Sequence, residues 1–290
     1  MPELPEVETV RLGLAPVLEG FRLTDVQTRR GDLRLPFPKD FVARTKGRKV
    51  IALRRRAKYL LADLDSGETL VIHLGMSGRM SVFSQGRQRR IGNYVYDKAP
   101  EGAGSGKHDH VIFQTDAPAR IIFTDHRRFG LMSLVDTERL GEDKLFKNIG
   151  IEPLSAGFNA AYLKNALDGK RTPIKSALLD QRLIGGLGNI YVCEALFRSR
   201  ISPKRLAGSI KGEQLAILAT AIKKVLKGAI AAGGSTLRDH AQATGDPGNF
   251  QHRFLVYGRE AMPCKLGCGG SVKRIVQSGR STFYCPNCQK

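Results

Sequence analysis

The sequence predicts an α+β chain: an amino-terminal β-sandwich or barrel flanked by helix, then a helical region, then a small β-hairpin clamped by cysteines. Three observations carry this. Short β-rich runs separated by turn residues occupy much of the first 135 residues. Beyond Asp136 the apolar spacing becomes helical. Near the end, Cys264-x3-Cys268 is followed sixteen residues later by Cys285-x2-Cys288.

In chain order, Leu4, Val7, Val10 and Leu14 form a stripe at helical spacing, which predicts a helix over 5–18, with Pro5 in its first turn and Pro16 marking its end. Strands are predicted at 50–53, 59–64, 70–74, 111–113 and 121–124, punctuated by Asp65-Ser66-Gly67 and Asp116-Ala117-Pro118. Helices are predicted over 137–147, 159–167, 172–181, 189–199 and 212–232, with Thr172 as N-cap and Pro173 at the first helical position of the third. Residues 233–250, rich in Gly, Ser, Thr and Asp, read as a mobile loop. The expected division is a first domain over 1–135, a linker over 136–152, a helical domain over 153–255 and the cysteine hairpin over 256–290.

Two tight cysteine pairs at this separation make a tetrahedral thiolate cage for one structural zinc ion. Paired disulfides are the alternative. Cys193, in a predicted helix, is the only other cysteine, and it suits a buried apolar role in a reducing cytoplasm. The hairpin is cationic: Lys273, Arg274 and Arg280 lie in it, and no acid occurs from 261 to 290. The whole chain carries a formal charge of +20, and residues 29–58 hold twelve Lys/Arg against two acids. Such an excess disfavours an enzyme of small neutral metabolites and fits a nucleic-acid partner. No apolar run is long enough to span a membrane, and the acidic, proline-rich start is unlike a signal peptide.

Two apparent phosphate loops fail on spacing. Residues 102–108 have one residue too few before Lys107 and His108 where Ser or Thr is needed, and Gly185-Gly186-Leu187-Gly188 follows a helix instead of a strand. Pro2 is the more interesting group. Removal of Met1 would expose a secondary amine whose pKa, near that of other α-amino groups, lies about two units below lysine. The positive end of the following helix lowers it further. Such an amine can attack a sugar anomeric carbon and give an iminium ion. Adjacent Glu3 could move protons or be a plain surface acid, and Lys58 could bind phosphate or stay solvated. Gly188-Asn189 is a helix start suited to phosphate, or a simple interhelical turn. Met76 and Phe129, on glycine-flanked loops, could wedge into a base stack or belong to the core.

Taken together, several segments resemble bacterial formamidopyrimidine-DNA glycosylases: Met1-Pro2-Glu3-Leu4-Pro5-Glu6-Val7-Glu8-Thr9, Arg56-Ala57-Lys58-Tyr59-Leu60-Leu61, His73-Leu74-Gly75-Met76-Ser77-Gly78, residues 125–130, Leu179-Asp180-Gln181, Gly188-Asn189-Ile190-Tyr191 and Thr282-Phe283-Tyr284-Cys285-Pro286-Asn287-Cys288. The resemblance implies a β-sandwich domain followed by a helix-two-turn-helix around 172–199 and a zinc finger. It implies excision of oxidised purines from damaged double-stranded DNA, then strand cleavage by β,δ-elimination. Pro2 would be the Schiff-base nucleophile, Glu3 its proton-transfer partner, Lys58 the lysine of β-elimination and Arg280 the finger arginine that assists δ-elimination. His108, Arg127, Lys170 and Asn189 would contact DNA. Met76, Arg127 and Phe129 would fill the gap left by an everted nucleotide, and residues 234–249 would fold over the base. Cys264, Cys268, Cys285 and Cys288 would hold zinc. A monomer in the bacterial cytoplasm, working on the nucleoid, is expected. One departure is visible: the family's first knuckle has two residues between cysteines, whereas Lys265, Leu266 and Gly267 make three, with Gly267 placed to absorb the bulge. The rival readings are an endonuclease VIII-like enzyme of oxidised pyrimidines and a non-catalytic zinc-ribbon binder of nucleic acid.

Overall fold

A computed structural model describes residues 2–84, 88–91, 94–236 and 241–290. Met1, whose removal the proposed chemistry needs, and residues 237–240 of the predicted loop lie outside the described residues. The chain packs as two units. One comprises Met1–Lys147 with Ala232–Asn249, and the other Asn148–Ala231 with Phe250–Lys290.

The first unit opens with α1 (Leu4–Leu18), which runs through Pro16 instead of stopping there. Proline lacks the N–H that would reach the carbonyl four residues back, so the helix gives up one backbone hydrogen bond there, close to its end. The strands follow as β1 (Leu23–Thr28), β2 (Val50–Arg56), β3 (Tyr59–Leu64), β4 (Glu68–His73), β5 (Arg79–Ser84), β6 (Arg89–Ile91), β7 (Tyr94–Tyr96), β8 (Asp109–Thr115), β9 (Ala119–Thr124) and β10 (Leu131–Asp136). A short helix, α2 (Phe41–Thr45), precedes β2. Two antiparallel four-stranded sheets result, ordered β1-β8-β9-β5 and β10-β4-β3-β2. One core serves both: Val26, Phe113 and Phe123 from the first sheet meet Leu53, Leu60 and Ile72 from the second, and Val7, Val10 and Leu14 of α1 close it. This is the expected β-sandwich with a flanking helix.

The predicted helix over 137–147 is not formed. Only a 3-10 turn at Leu140–Glu142 appears, and its three residues are not buried. Its charged sequence offers no apolar stripe to dock, so it has nothing to offset the entropy of ordering a helix. Part of the predicted loop over 233–250 is anchored instead. Ala243 is buried in the sandwich core, and its carbonyl accepts the Val82 N–H at 2.8 Å.

The second unit holds α3 (Ala160–Leu167), α4 (Ile174–Leu179), α5 (Asn189–Arg198) and α6 (Glu213–Ala231). Asn159 caps α3, its Oδ1 accepting the Tyr162 N–H at 3.0 Å. In α4 the cap is Pro173 and not Thr172, so the helix starts one residue later than expected. The carboxylate of Glu194, fully buried on α5, accepts the N–H groups of Leu255, Val256 and Tyr257 at 2.9–3.0 Å. That pins the chain leading into β11 (Lys273–Gln277) and β12 (Arg280–Tyr284), the terminal hairpin. Cys193 is buried at 1% exposure beside it.

Candidate functional site

Glu3 caps α1, and Glu6 three residues on completes a capping box: the Glu3 N–H donates to Glu6 Oε2 at 2.9 Å. The other Glu6 oxygen accepts both the N–H and the hydroxyl of Ser235, at 2.8 and 2.9 Å. Glu6, 2% exposed, therefore joins the helix start to the entry of the 234–249 segment. Glu3 is 4% exposed, so it is not the solvated surface acid of the plainer reading, and Pro2 beside it is also buried.

Lys58 sits in the two-residue turn between β2 and β3, where Arg56 pairs with Tyr59. Ala57 takes φ 52°, the left-handed region disfavoured for a residue with a Cβ. Arg55 ties this turn to the helix by donating to the Ala57 carbonyl at 3.0 Å and pairing with Glu8 at 2.9 Å. Glu8 in turn pairs with Arg11 at 2.7 Å. The result is a Lys58 only 8% exposed, braced against the helix that begins beside Pro2.

Near Lys58 lies His73, which accepts the Gly75 N–H on Nδ1 at 3.0 Å. Burial, then the Lys58 and Arg34 charges, hold its imidazole down from 6.5 to about 4. Because the folded pKa is the lower one, the unfolded chain takes up the proton first. Stability attributable to His73 is intact above about pH 6.5 and declines as pH falls toward 4, by about 3 kcal/mol in full. Urea unfolding between pH 7 and 4 is expected to show this decline and His73→Gln to flatten it; parallel curves for both proteins would exclude it.

The Met76 and Phe129 loops meet. A Cβ on Gly75 would lie 2.3 Å from the Phe129 carbonyl carbon, so only glycine permits the contact. Fully buried Asp125 organises the pair: Ser77 donates to Oδ1 at 2.5 Å and the Gly130 N–H to Oδ2 at 2.8 Å. Arg127 and Phe129 remain exposed, with the Arg127 guanidinium 4.8 Å from the Phe129 ring centre. The His108 carbonyl accepts the Asp125 N–H at 2.9 Å and the exposed His108 ring lies 6.2 Å from His126. Met76, His108, Arg127 and Phe129 thus share one loop cluster.

In the second unit, Asn189 is the first residue of α5 after Gly188. The turn before it is braced by Gln181, which accepts the Gly186 N–H at 2.9 Å and donates to the Leu187 carbonyl at 2.8 Å. Asn189 Nδ2 donates to the Ser281 carbonyl at 2.9 Å, next to Arg280. Arg280 follows the Ser278-Gly279 turn, whose φ values of 49° and 71° suit a tight hairpin. Buried Lys175 also grips this strand, donating to Ser281 O at 3.1 Å and Thr282 Oγ1 at 2.7 Å. Lys170 is apart from these contacts, in the connection after α3, with its carbonyl taken by Gly208 N at 2.9 Å.

The four predicted zinc ligands converge, all Sγ atoms within 4.8 Å of one another. Cys268 and Cys285 lie 3.5 Å apart, Cys264 and Cys288 3.7 Å. A tetrahedral zinc–thiolate centre requires S–S edges of about 3.8 Å, so the cage fits one zinc ion. A backbone hydrogen bond from Gly270 leads in holding the Cys268 thiol down to about 7, whereas burial pushes Cys285 and Cys288 up, the latter to about 12. Gly267, the last of the three residues between Cys264 and Cys268, takes φ 67°, a left-handed conformation that favours glycine. Reading along the sequence missed Glu6, Asp125 and Lys175, because each works through a partner remote in the chain. The only cue was an acid three residues after a helix cap.

The family model of the formamidopyrimidine-DNA glycosylase N-terminal domain matches residues 1–132, that of its H2TH domain 149–241, and that of the zinc finger found in FPG and IleRS 263–290. A formamidopyrimidine-DNA glycosylase of Jannaschia sp. (strain CCS1) is 56% identical over 100% of both chains. The crystal structure of the MutM (FPG) protein from Thermus thermophilus superposes with a TM-score of 0.82 at 39% identity, covering 99% of this chain and 98% of that one. A Lactococcus lactis FPG mutant in complex with a Fapy-dG containing DNA gives 0.85 at 29% identity, with 100% of both chains covered.

Proposed function

The chain belongs to the formamidopyrimidine-DNA glycosylase family, and from that premise we propose that it excises oxidised purines, 8-oxoguanine and formamidopyrimidines, from duplex DNA and then cuts the strand. The observation that carries this reading is the capping box that fixes Glu3 beside Pro2 at the start of α1 and is latched through Glu6 to Ser235.

After loss of Met1, the Pro2 nitrogen forms a bond to C1′ of the damaged nucleotide. The electrons of the C1′–base bond leave with the base, which takes up a proton. Glu3 moves protons as the sugar ring opens and the iminium ion forms. The iminium then draws electrons from C2′ once a proton is removed there, and the 3′ phosphate departs (β-elimination, assigned to Lys58). A second elimination, assisted by Arg280, releases the 5′ phosphate. The braced turn suits this work, because Arg55 fixes the backbone at Ala57, the residue before Lys58, before substrate arrives.

Eversion of a nucleotide costs a few kcal/mol. Met76, Arg127 and Phe129 can occupy the vacancy, since they already share one cluster with His108. Lys170, Asn189 and Arg280 supply phosphate contacts, and the charge of +20 supplies the long-range attraction. Cys264, Cys268, Cys285 and Cys288 would hold zinc, which would fix the hairpin carrying Arg280. The same reading has the enzyme acting as a monomer on the nucleoid in the bacterial cytoplasm; among the described residues no helix is long and apolar enough to cross a membrane.

Incubation with duplexes carrying 8-oxoguanine or thymine glycol tests the reading: 8-oxoguanine should be cut at least tenfold faster, and preference for thymine glycol would assign the pyrimidine-directed chemistry instead. Arg280→Ala should lower incision about 100-fold, a loss equivalent to about 2.7 kcal/mol, with one zinc per chain retained by metal analysis. Zinc lost in step with incision would make Arg280 structural.

A further inference from the structure

Helix α6 is apolar on two faces. Leu215, Leu218, Ile222 and Leu226 point into its own core. On the other side Ala216, Ile217 and Thr220 line an open groove of about 550 Å³, with Phe197 and Leu255 also lining it. Leu266, the middle of the three residues between Cys264 and Cys268, completes it. Ile217 is 43% exposed and Leu266 46%. Two large aliphatic side chains held in water around one concavity form an apolar patch that a partner can cover favourably. Lys265 fixes the Leu266 knuckle by donating to the Phe254 carbonyl at 2.8 Å.

The rim has one sign. Arg198 and Arg200, at the end of α5, and Lys224 on α6 line the groove, and none of them is in an ion pair among the described residues. Glu213 is the one acid among the described lining residues. Duplex DNA would satisfy the rim but offers the floor little apolar area, since its bases are stacked and its outer surface is sugar and phosphate. A second copy of a chain with charge +20 would meet repulsion at such a rim.

We propose that this groove docks an acidic amphipathic segment of a partner protein, a helix with aliphatic or aromatic residues on one face and Asp or Glu on its flanks. The apolar face would seat against Ile217 and Leu266, with the carboxylates against Arg198, Arg200 and Lys224. None of these residues has a role in the chemistry proposed above, so the two readings stand or fall separately.

The test uses the full zinc-loaded chain and a fluorescein-labelled synthetic peptide of Asp, Glu, Leu and Phe patterned as such a helix, read by anisotropy. Saturable binding below about 100 µM is expected, weakened at least tenfold by Ile217→Glu and by Arg198→Glu, with zinc content and melting temperature unchanged. Should Ile217→Glu disturb the helix, Thr220→Arg fills the groove from an exposed position and should weaken binding as much. Absence of saturable binding overturns the proposal. So do equal affinity for a peptide with Lys in place of Asp and Glu, undiminished binding by folded variants, and an undamaged duplex losing affinity for Ile217→Glu as steeply as the peptide does, which would give the groove to DNA.

Discussion

A preparation that retains Met1 is expected to bind damaged duplex yet neither to trap on borohydride nor to cut. In the Met1-Pro2 bond the proline nitrogen is a tertiary amide. Its lone pair is delocalised into the carbonyl, and it has no proton to lose on forming an iminium ion. The processed terminus is a secondary amine with a substantial neutral fraction at pH 7. The expected fall in trapping is about 1000-fold or more, equivalent to about 4 kcal/mol of barrier. Mass spectrometry of the trapped peptide reads both states in one sample: the adduct should sit on peptides beginning at Pro2 and be absent from those beginning at Met1. Pro2→Ala keeps an amine but loses the ring that fixes its direction, so it should trap at a tenth or less of the native rate. Undiminished trapping by Pro2→Ala would show that the ring is not needed, and equal trapping by protein that retains Met1 would remove the Pro2 nitrogen from the mechanism.

The second large effect concerns the metal cage. Cys285 is fully buried in the knuckle core, and its N–H donates to Gln289 Oε1 at 2.9 Å. Cys285→Ser should take zinc from one per chain to near none. Metal binding contributes on the order of 10–16 kcal/mol to folding such fingers, and a two-stranded hairpin is marginal alone. β11 and β12 should therefore lose their order. Incision should drop at least 100-fold while the sandwich keeps its far-ultraviolet dichroism. Full incision by a zinc-free protein would sever the link between metal and Arg280.

The amino-terminal helix, five of the sandwich strands and the cysteine cage were legible because each is written in local periodicity or spacing. β1, β5 and β10 were not. Leu23–Thr28 mixes Asp, Gln and Thr into a strand buried at every third position, and Arg79–Ser84 hides its alternation among polar residues. The stretch 137–147 was read with the helical apolar pattern beyond Asp136, but it forms only a 3-10 turn at Leu140–Glu142, none of whose residues is buried. At the site, Pro2, Lys58 and the Met76 and Phe129 loops were named from their motifs. The contacts that hold them in place were invisible, since Glu6 and Ser235 are 229 positions apart and Ser77 and Asp125 are 48 apart. Pairing at that range is decided by sheet register and packing, which a single sequence does not spell out.

Residues Ala232–Asn249 pack with the first unit although the chain on either side of them belongs to the second. During synthesis, then, the sandwich emerges early but its interior stays incomplete until Ala243 leaves the ribosome, after α6 has been made. A fragment ending near residue 150 would therefore leave Glu6 without Ser235 and the sandwich without Ala243. Dissection of this protein calls for splicing 232–249 onto the amino half by a designed linker, because a simple cut would yield two damaged halves.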